Sequence, residues 1–257
     1  MANSYFQFKQ FTIHQDKCAM KVTTDGCLFG GWLSEKLGGG SREAGARSQD
    51  PIAIGSGVRK ILDIGTGTGL LSLMIAQKND LIVHTVEIDK DAFEQASLNV
   101  SNSPWPGRVK VIHGDIKEIM LADKYDVIIS NPPFYENELK GDDTKKNLAH
   151  HNNGLLITEL LHIIKKYLKP GGSFYLLIPY KRDNEIKKLL TDNDLEVRQL
   201  TFVRQTINHD YFRIMLQGKL KTNELTESTL DEISIKDDND KYTSDFANLL
   251  KDYYLHL

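Results

Sequence analysis

The residues best suited to do chemistry are Asn131-Pro132-Pro133-Phe134, which directly follow the apolar run Val127-Ile128-Ile129. Two consecutive prolines remove backbone donors and hold the preceding residue extended. They leave the Pro132 carbonyl open and fix the direction of Asn131. Two neighbouring oxygen acceptors result, the Asn131 side-chain oxygen and the Pro132 carbonyl, followed by the aromatic ring of Phe134. This pair suits a planar amino group such as the N6 of adenine, whose lone pair is delocalised into its ring. Acceptors on both N–H bonds pull such a nitrogen toward tetrahedral geometry and free the lone pair for attack. Phe134 offers a face on which the base can stack, worth roughly 1–3 kcal/mol.

An attacking amine needs an electrophile beside it, and a second group of residues outlines one. Asp63-Ile64-Gly65-Thr66-Gly67-Thr68-Gly69 is a glycine-rich turn ahead of an apolar segment. Glycines let a backbone turn tightly and approach a ligand, and a helix start offers unpaired N–H groups. The spacing is G-x-G-x-G, with Leu70 where a dinucleotide fingerprint would need its third glycine. Glu87, with Ile88 beside it, falls about twenty residues later, where a carboxylate can accept from ribose hydroxyls. Asp115 could accept from an adenine amine, with Ile116 covering the ring. Taken singly, each has a plainer reading: a turn, a surface carboxylate, a helix N-cap, and, for Asn-Pro-Pro, a turn closing a strand.

Position decides between these readings. Strands are expected at Lys60–Ile64, Leu81–Val86, Val109–His113, Asp126–Ser130 and Ser173–Ile178. Helices are expected at Leu70–Gln77, Asp91–Val100 (capped by Asp89 or Asp91), Leu155–Leu168 and Glu185–Leu190. Lys169-Pro170-Gly171-Gly172 reads as a helix terminator and turn. Glu196–Val203 and Tyr211–Gln217 read as an antiparallel pair of strands. Alternation of this kind gives a parallel sheet covered on both faces, an α/β Rossmann-like fold. Ligands bind such sheets at the carboxyl ends of the strands. The glycine turn, Glu87, Asp115 and Asn131 all fall at those ends. Together the first three outline a nucleoside with a short charged tail, S-adenosylmethionine.

The rest of the chain constrains less. Its 257 residues suit one large α/β domain, and a net charge of −3 neither advertises nor forbids nucleic-acid binding. No apolar run approaches the roughly 18–20 residues of a membrane span, and no secretory leader is visible at the N-terminus, so a cytoplasmic protein is expected. Cys18 and Cys27 do not space as a disulfide framework or a zinc site, and read as reduced, partly buried thiols. Gly38 to Gly57 reads as a flexible insertion. Leu220 to Lys241 reads as weakly structured, with at most a short strand at Ile233–Ile235.

The motifs also resemble a known family. Phe6-Gln7-Phe8-Lys9-Gln10-Phe11, Asp16 through Gly26 (D-K-C-A-M-K-V-T-T-D-G), Leu62 through Leu71, Ser103-Pro104-Trp105, Ile129 through Phe134, and Tyr242-Thr243 through Tyr253-Tyr254-Leu255 are similar to blocks of the bacterial tRNA1(Val) adenine-37 N6-methyltransferases. The C-A-M-K-V-T-T-D-G block is the most specific of these. The resemblance implies a class I methyltransferase with a seven-stranded, mostly parallel sheet, a monomer, needing no metal. It implies residues 1–37 as a cofactor-covering segment and 58–257 as the methyltransferase domain, while the insertion at 38–57 departs from the shorter family pattern. It places Lys21, Thr24, Asp25 and Gly26 near the methionine moiety, where the residues alone suggest only a turn at Thr23–Gly26. It also implies tRNA as substrate, with the target base turned out of its stack. The cations expected near the phosphates are Lys140, Lys145, Lys146, Lys181 and Arg182, with Lys9 and Lys17 as further candidates. The loop Tyr135–Asn153, which carries His150 and His151, is the expected gripping loop. Other substrates open to the same acceptor pair are a protein glutamine amide (N5) and adenine in other RNA or DNA. Against them stand the short aromatic N-terminal segment and the lack of an evident target-recognition domain.

Overall fold

The computed structural model describes residues 3–38, 58–133, 155–222 and 227–257. Most of the expected insertion, the loop after the catalytic turn, and Phe134, Lys140, Lys145 and Lys146 lie outside the described residues. The core is an eight-stranded sheet in the order β10-β8-β9-β7-β6-β3-β4-β5. Its strands are β3 (Lys60–Ile64), β4 (Ile82–Glu87), β5 (Val109–His113), β6 (Tyr125–Ser130), β7 (Leu168–Pro179), β8 (Leu195–Thr206), β9 (Tyr211–Leu220) and β10 (Thr229–Lys236). All neighbours pair parallel except β9, which runs antiparallel to both β7 and β8. A separate hairpin joins β1 (Tyr5–Gln7) to β2 (Thr12–His14).

Alternation along the strands divides the core into two layers. Ile61, Val83, Val127 and Ile129 face one side, packed by α1 (Thr24–Leu37), α2 (Leu70–Lys78), the end of α3 (Lys90–Ser101) and α6 (Ser244–Leu250). Leu62, Ile64, Val86 and Ile128 face the other side, covered by α4 (Ile157–Tyr167) and α5 (Asp183–Asp192). The α/β Rossmann-like expectation therefore holds, and so does the antiparallel β8–β9 pair. The N-cap of α3 is Asp89, whose carboxylate accepts from the Ala92 N–H at 2.8 Å. Cys18 and Cys27 are both buried and free of a disulfide. No helix among the described residues is long and apolar enough to cross a membrane.

Three elements depart from the sequence reading. Residues 24–37 form a full helix, not only the turn expected at Thr23–Gly26, and two of its glycines serve its packing. A Cβ on Gly30 would sit 2.4 Å from the Met74 sulfur, and one on Gly31 would sit 2.7 Å from the Leu249 carbonyl. The two glycines let α1 press between α2 and α6. The sheet has one strand more than the seven expected, since β10 runs from Thr229 to Lys236. Its outer half carries exposed Asp231 and Glu232, typical of a sheet edge and uninformative as a pattern. Finally, Lys169-Pro170-Gly171-Gly172 is drawn into β7 as an irregularity: the register passes from Tyr125↔Leu168 to Val127↔Ser173, with Gly171 at φ +76°.

Gly218 lies directly opposite Phe174 on β7, and a Cβ there would fall 2.2 Å from the ring. Gly218→Ala is expected to lower stability by roughly 2 kcal/mol, the scale of an overpacked core, as read from the midpoint of a urea titration.

Candidate active site

Four strand ends meet at the carboxyl edge of the sheet, and hydrogen bonds fix their relative positions. From the tip of β6 the Ser130 hydroxyl donates to the Ile64 carbonyl of β3 at 2.8 Å. From the turn after β3 the Gly65 and Thr66 N–H groups donate to the Val86 carbonyl of β4 at 2.9 and 3.3 Å. The Gly114 N–H, after β5, donates to the Glu87 carbonyl at 3.0 Å.

The glycine turn is shaped by conformation first. Gly65, Gly67 and Gly69 have φ of +73°, +55° and +82°, the left-handed region that only glycine enters freely. At Gly65 and Gly67 a Cβ would meet nothing within 4 Å, so this part of the backbone borders open space. The turn is braced from below by buried Asp63, whose Oδ2 accepts from the hydroxyls of Thr66 at 2.8 Å and Ser72 at 2.7 Å. It is braced from the side by Glu87. There Oε2 accepts from the Gly67 N–H at 2.8 Å and Oε1 from the Asp89 N–H at 3.0 Å. Burial pushes the Asp63 carboxyl up to about 6, opposed by the bonds from Ser72 and Thr66 and aided by the charge of Glu87.

Asp115 is half-buried and its Oδ1 accepts from the Lys117 N–H at 2.9 Å, so it caps the turn that follows β5. Ile116 is buried behind it, whereas Ile88, beside Glu87, is 58% exposed. An open glycine cradle, carboxylates at two adjoining strand ends and an uncovered apolar side chain fit a nucleoside with a charged tail.

Asn131 is half-buried, Pro132 is buried and Pro133 is half-buried. Among the described residues nothing hydrogen-bonds to the Asn131 side chain. The bond from Ser130 to Ile64 sets this tip beside the glycine turn, so the acceptor pair and the cradle share one edge.

Buried amides fasten the N-terminal segment to the same edge. Asn99 of α3 donates to the Thr68 carbonyl at 2.9 Å and to the His14 carbonyl at 2.8 Å, and accepts from the His14 N–H at 2.9 Å. Gln95, one helical turn earlier, accepts from the Lys17 N–H at 3.2 Å, and Gln15 accepts from the Val22 N–H at 2.7 Å. Sequence reasoning missed these residues, together with Ser130 and Ser72. The usable signal was the i, i+4 pair Gln95 and Asn99, polar on a face that the periodicity marks as buried.

The residues placed by resemblance have definite local partners. Lys21 donates to the carbonyls of Gln15 and, at 3.0 Å, Cys18. Thr24 is exposed at the first turn of α1, and Thr23 caps that helix by accepting from the Gly26 N–H at 3.3 Å. Gly26 is buried, and a Cβ there would lie 3.7 Å from the Leu70 side chain, so the block abuts the start of α2. The Asp25 carboxylate accepts from Arg213 Nε of β9 at 2.7 Å. Lys181 is exposed on the short helical turn after β7. Arg182 corrects the expectation of an open cation: it is buried, and its guanidinium donates to both carboxylate oxygens of Glu185, at 2.8 and 2.6 Å.

Comparison with known proteins agrees with this geometry. Residues 54–215 match the family profile described as "Methyltransferase small domain". The fold is similar to a predicted O-methyltransferase of Agrobacterium tumefaciens, with a TM-score of 0.61, 14% identity, and coverage of 89% of this chain and 96% of that one. It is also similar to a Listeria monocytogenes protein assigned to the class I S-adenosylmethionine-dependent methyltransferases, with a TM-score of 0.59, 16% identity, and coverage of 86% and 67%. Together with the Rossmann-like fold, the matched profile defines the chain as a methyltransferase.

Full-length similarity narrows the class. The chain is 34% identical to the tRNA1(Val) (adenine(37)-N6)-methyltransferase of Parabacteroides distasonis, covering 100% of both chains. It is 37% identical to the protein of the same name from Dyadobacter fermentans, covering 98% of both. The chain belongs to the tRNA1(Val) (adenine(37)-N6)-methyltransferase family.

The raised carboxyl of Asp63 has a consequence for stability. A carboxyl that binds its proton more tightly in the folded state contributes stability at low pH. That contribution is lost as pH rises from the unfolded value near 3.8 to about 6. Asp63→Asn should abolish this component. The stability difference between variant and parent, from urea titrations at pH 4 and pH 7, is expected to move by about 2–3 kcal/mol in favour of the variant at the higher pH.

Proposed function

We propose that this chain transfers a methyl group from S-adenosylmethionine to the N6 amine of adenine 37 in tRNA1(Val). The observation that carries the reading is the Asn131 side chain, without a hydrogen-bond partner among the described residues and held next to the glycine cradle by the bond from Ser130 to Ile64. Full-length similarity to proteins named for that reaction supports the choice of substrate.

Bound S-adenosylmethionine supplies an electrophilic methyl group on a sulfonium. Gly65–Gly69 would hold its charged tail, Glu87 would accept from its ribose hydroxyls, and Ile88 and Ile116 would cover its adenine, with Asp115 as acceptor. In this reading Asp63 acts through Thr66 and Ser72, as a positioning residue for the turn. Lys21, Asp25 and Gly26 shape the N-terminal cover of the site.

The Asn131 side-chain oxygen and the Pro132 carbonyl accept from the two N–H bonds of the target amine. This aligns the nitrogen lone pair with the methyl group and withdraws it from conjugation with the purine ring. As the N–C bond forms the S–C bond breaks. The nitrogen then carries a positive charge and its proton becomes acidic, so it leaves to water without a strong base. Phe134 is assigned the stacking face for the target base. Lys140, Lys145, Lys146 and Lys181 are assigned to the phosphates around it, while Arg182 is left to its bond with Glu185.

Incubating the protein with labelled cofactor and tRNA, followed by nucleoside analysis, should yield N6-methyladenosine; label in protein glutamine, or none in tRNA, would overturn the reading. Asn131→Ala should lower kcat by about 10²–10³, the scale of losing one positioned polar contact to the reacting group. The same variant should leave the cofactor Kd within about twofold. Glu87→Ala should weaken cofactor binding roughly 10–100-fold in calorimetry, the scale of losing charged hydrogen bonds; an unchanged affinity would remove Glu87 from the site.

A further inference from the structure

Beyond the acceptor pair, the same edge of the sheet carries a group of aromatic rings that the methyl transfer does not use. Tyr180 follows the carboxyl end of β7, Phe202 lies near the end of β8, and Tyr211 begins β9. Ring centroids are 5.8 Å apart for Tyr180 and Phe202, 5.4 Å for Tyr180 and Tyr211, and 5.2 Å for Phe202 and Tyr211. Their planes meet at 80°, 54° and 38°, so no pair is stacked face to face. Tyr180 is 38% exposed. The Arg204 guanidinium lies over the Tyr211 ring at 4.6 Å and donates to the Tyr211 hydroxyl at 2.9 Å, with Glu232 completing the contact.

A backbone irregularity builds this cluster. Val203 pairs with Arg213, but Arg204 pairs with Tyr211, so Phe212 is an extra residue in β9. The bulge sends Phe212 toward the layer of α1 and α2. It returns Tyr211 to the opposite face, beside Phe202 and Arg204. Bulges of this kind re-aim side chains next to functional sites.

Distance connects the cluster to the acceptors. Ser130 pairs with Leu176, and β7 runs on to Pro179 before Tyr180. At about 3.3 Å per residue and about 4.8 Å between strands, the Tyr180 backbone lies roughly 10 Å from that of Asn131. A nucleotide adjoining the one held at Asn131 can reach that far.

We propose that Tyr180, with Phe202, Tyr211 and Arg204 behind it, is a stacking platform for an unpaired nucleotide flanking the target adenine. Exposed aromatic faces with a guanidinium among them suit unstacked bases of single-stranded RNA. The proposal rests on the RNA reading given above, and it assigns the platform to a neighbouring base, leaving Phe134 to the target.

The test uses the full-length protein and an anticodon stem-loop RNA carrying 2-aminopurine at the position on either side of the target adenine. Stacking on Tyr180 quenches the probe when the wild-type protein binds, at one of the two positions. Tyr180→Ala and Tyr180→Leu should abolish that quenching, while Tyr180→Phe retains it. The first two variants should raise KM for tRNA by about five- to tenfold, with kcat and cofactor Kd unchanged. Their salt dependence of binding should also stay unchanged, since no phosphate contact is lost. Quenching and KM equal to wild type in both would overturn the platform while methylation by the parent still stands. A parent that methylates no tRNA adenine would instead overturn the function and the platform together.

Discussion

One hydrogen bond, from the Ser130 hydroxyl to the Ile64 carbonyl, joins the two halves of the site. β6 carries the acceptors for the nucleophile and β3 carries the turn for the methyl donor. Parallel pairing aligns the two strands from Ile61↔Val127 through Asp63↔Ile129, and no further. Past that point the chains diverge, β3 into a left-handed glycine turn and β6 into rigid prolines. The buried serine holds them together where the ladder ends. Methyl transfer tolerates little slack between nucleophile and donor, so this is the constraint that the surrounding structure has to respect.

The glycine turn is held in the same way. Asp63 spends Oδ2 on Thr66 and Ser72, and Glu87 spends both oxygens on Gly67 and Asp89. They shape the backbone that a ligand would meet. Asn99 adds a third support, because it binds the turn through Thr68 and the N-terminal hairpin through His14. Turn and hairpin are thereby parts of one network of buried amides and carboxylates, in which Asp63 Oδ1 is buried without a hydrogen-bond partner among the described residues.

Much of the fold was legible in the sequence. Continuous apolar runs such as Val127-Ile128-Ile129 can lie only inside a sheet covered on both faces, and the strand ends were readable from the glycines and prolines that follow. Of the site, the G-x-G-x-G turn and Asn-Pro-Pro stood out because their chemistry is local. What escaped notice was not local. α1 reads only as a turn at Thr23–Gly26, since Gly30 and Gly31 find their use only against Met74 and Leu249. β10 reads as at most a short strand at Ile233–Ile235, because the exposed first half of an edge strand carries polar residues. Arg182, which reads as a cation for phosphate, is the exception: its partner Glu185 lies only three residues on, so that pairing was open to sequence reading. The Tyr180 cluster was invisible, since a one-residue bulge at Phe212 decides which way Tyr211 points.

The N-terminal hairpin closes against residues made late in synthesis. The Lys9 N–H donates to the Tyr253 carbonyl at 2.8 Å, and Tyr254 packs against Phe6 and Phe8 with ring centroids 5.7 and 6.1 Å away. The Tyr253 hydroxyl donates to the Met74 carbonyl of α2 at 2.9 Å. On the ribosome the hairpin emerges first, whereas residues 253 and 254 emerge only after every strand of the central sheet, so this clasp cannot close before those strands are out.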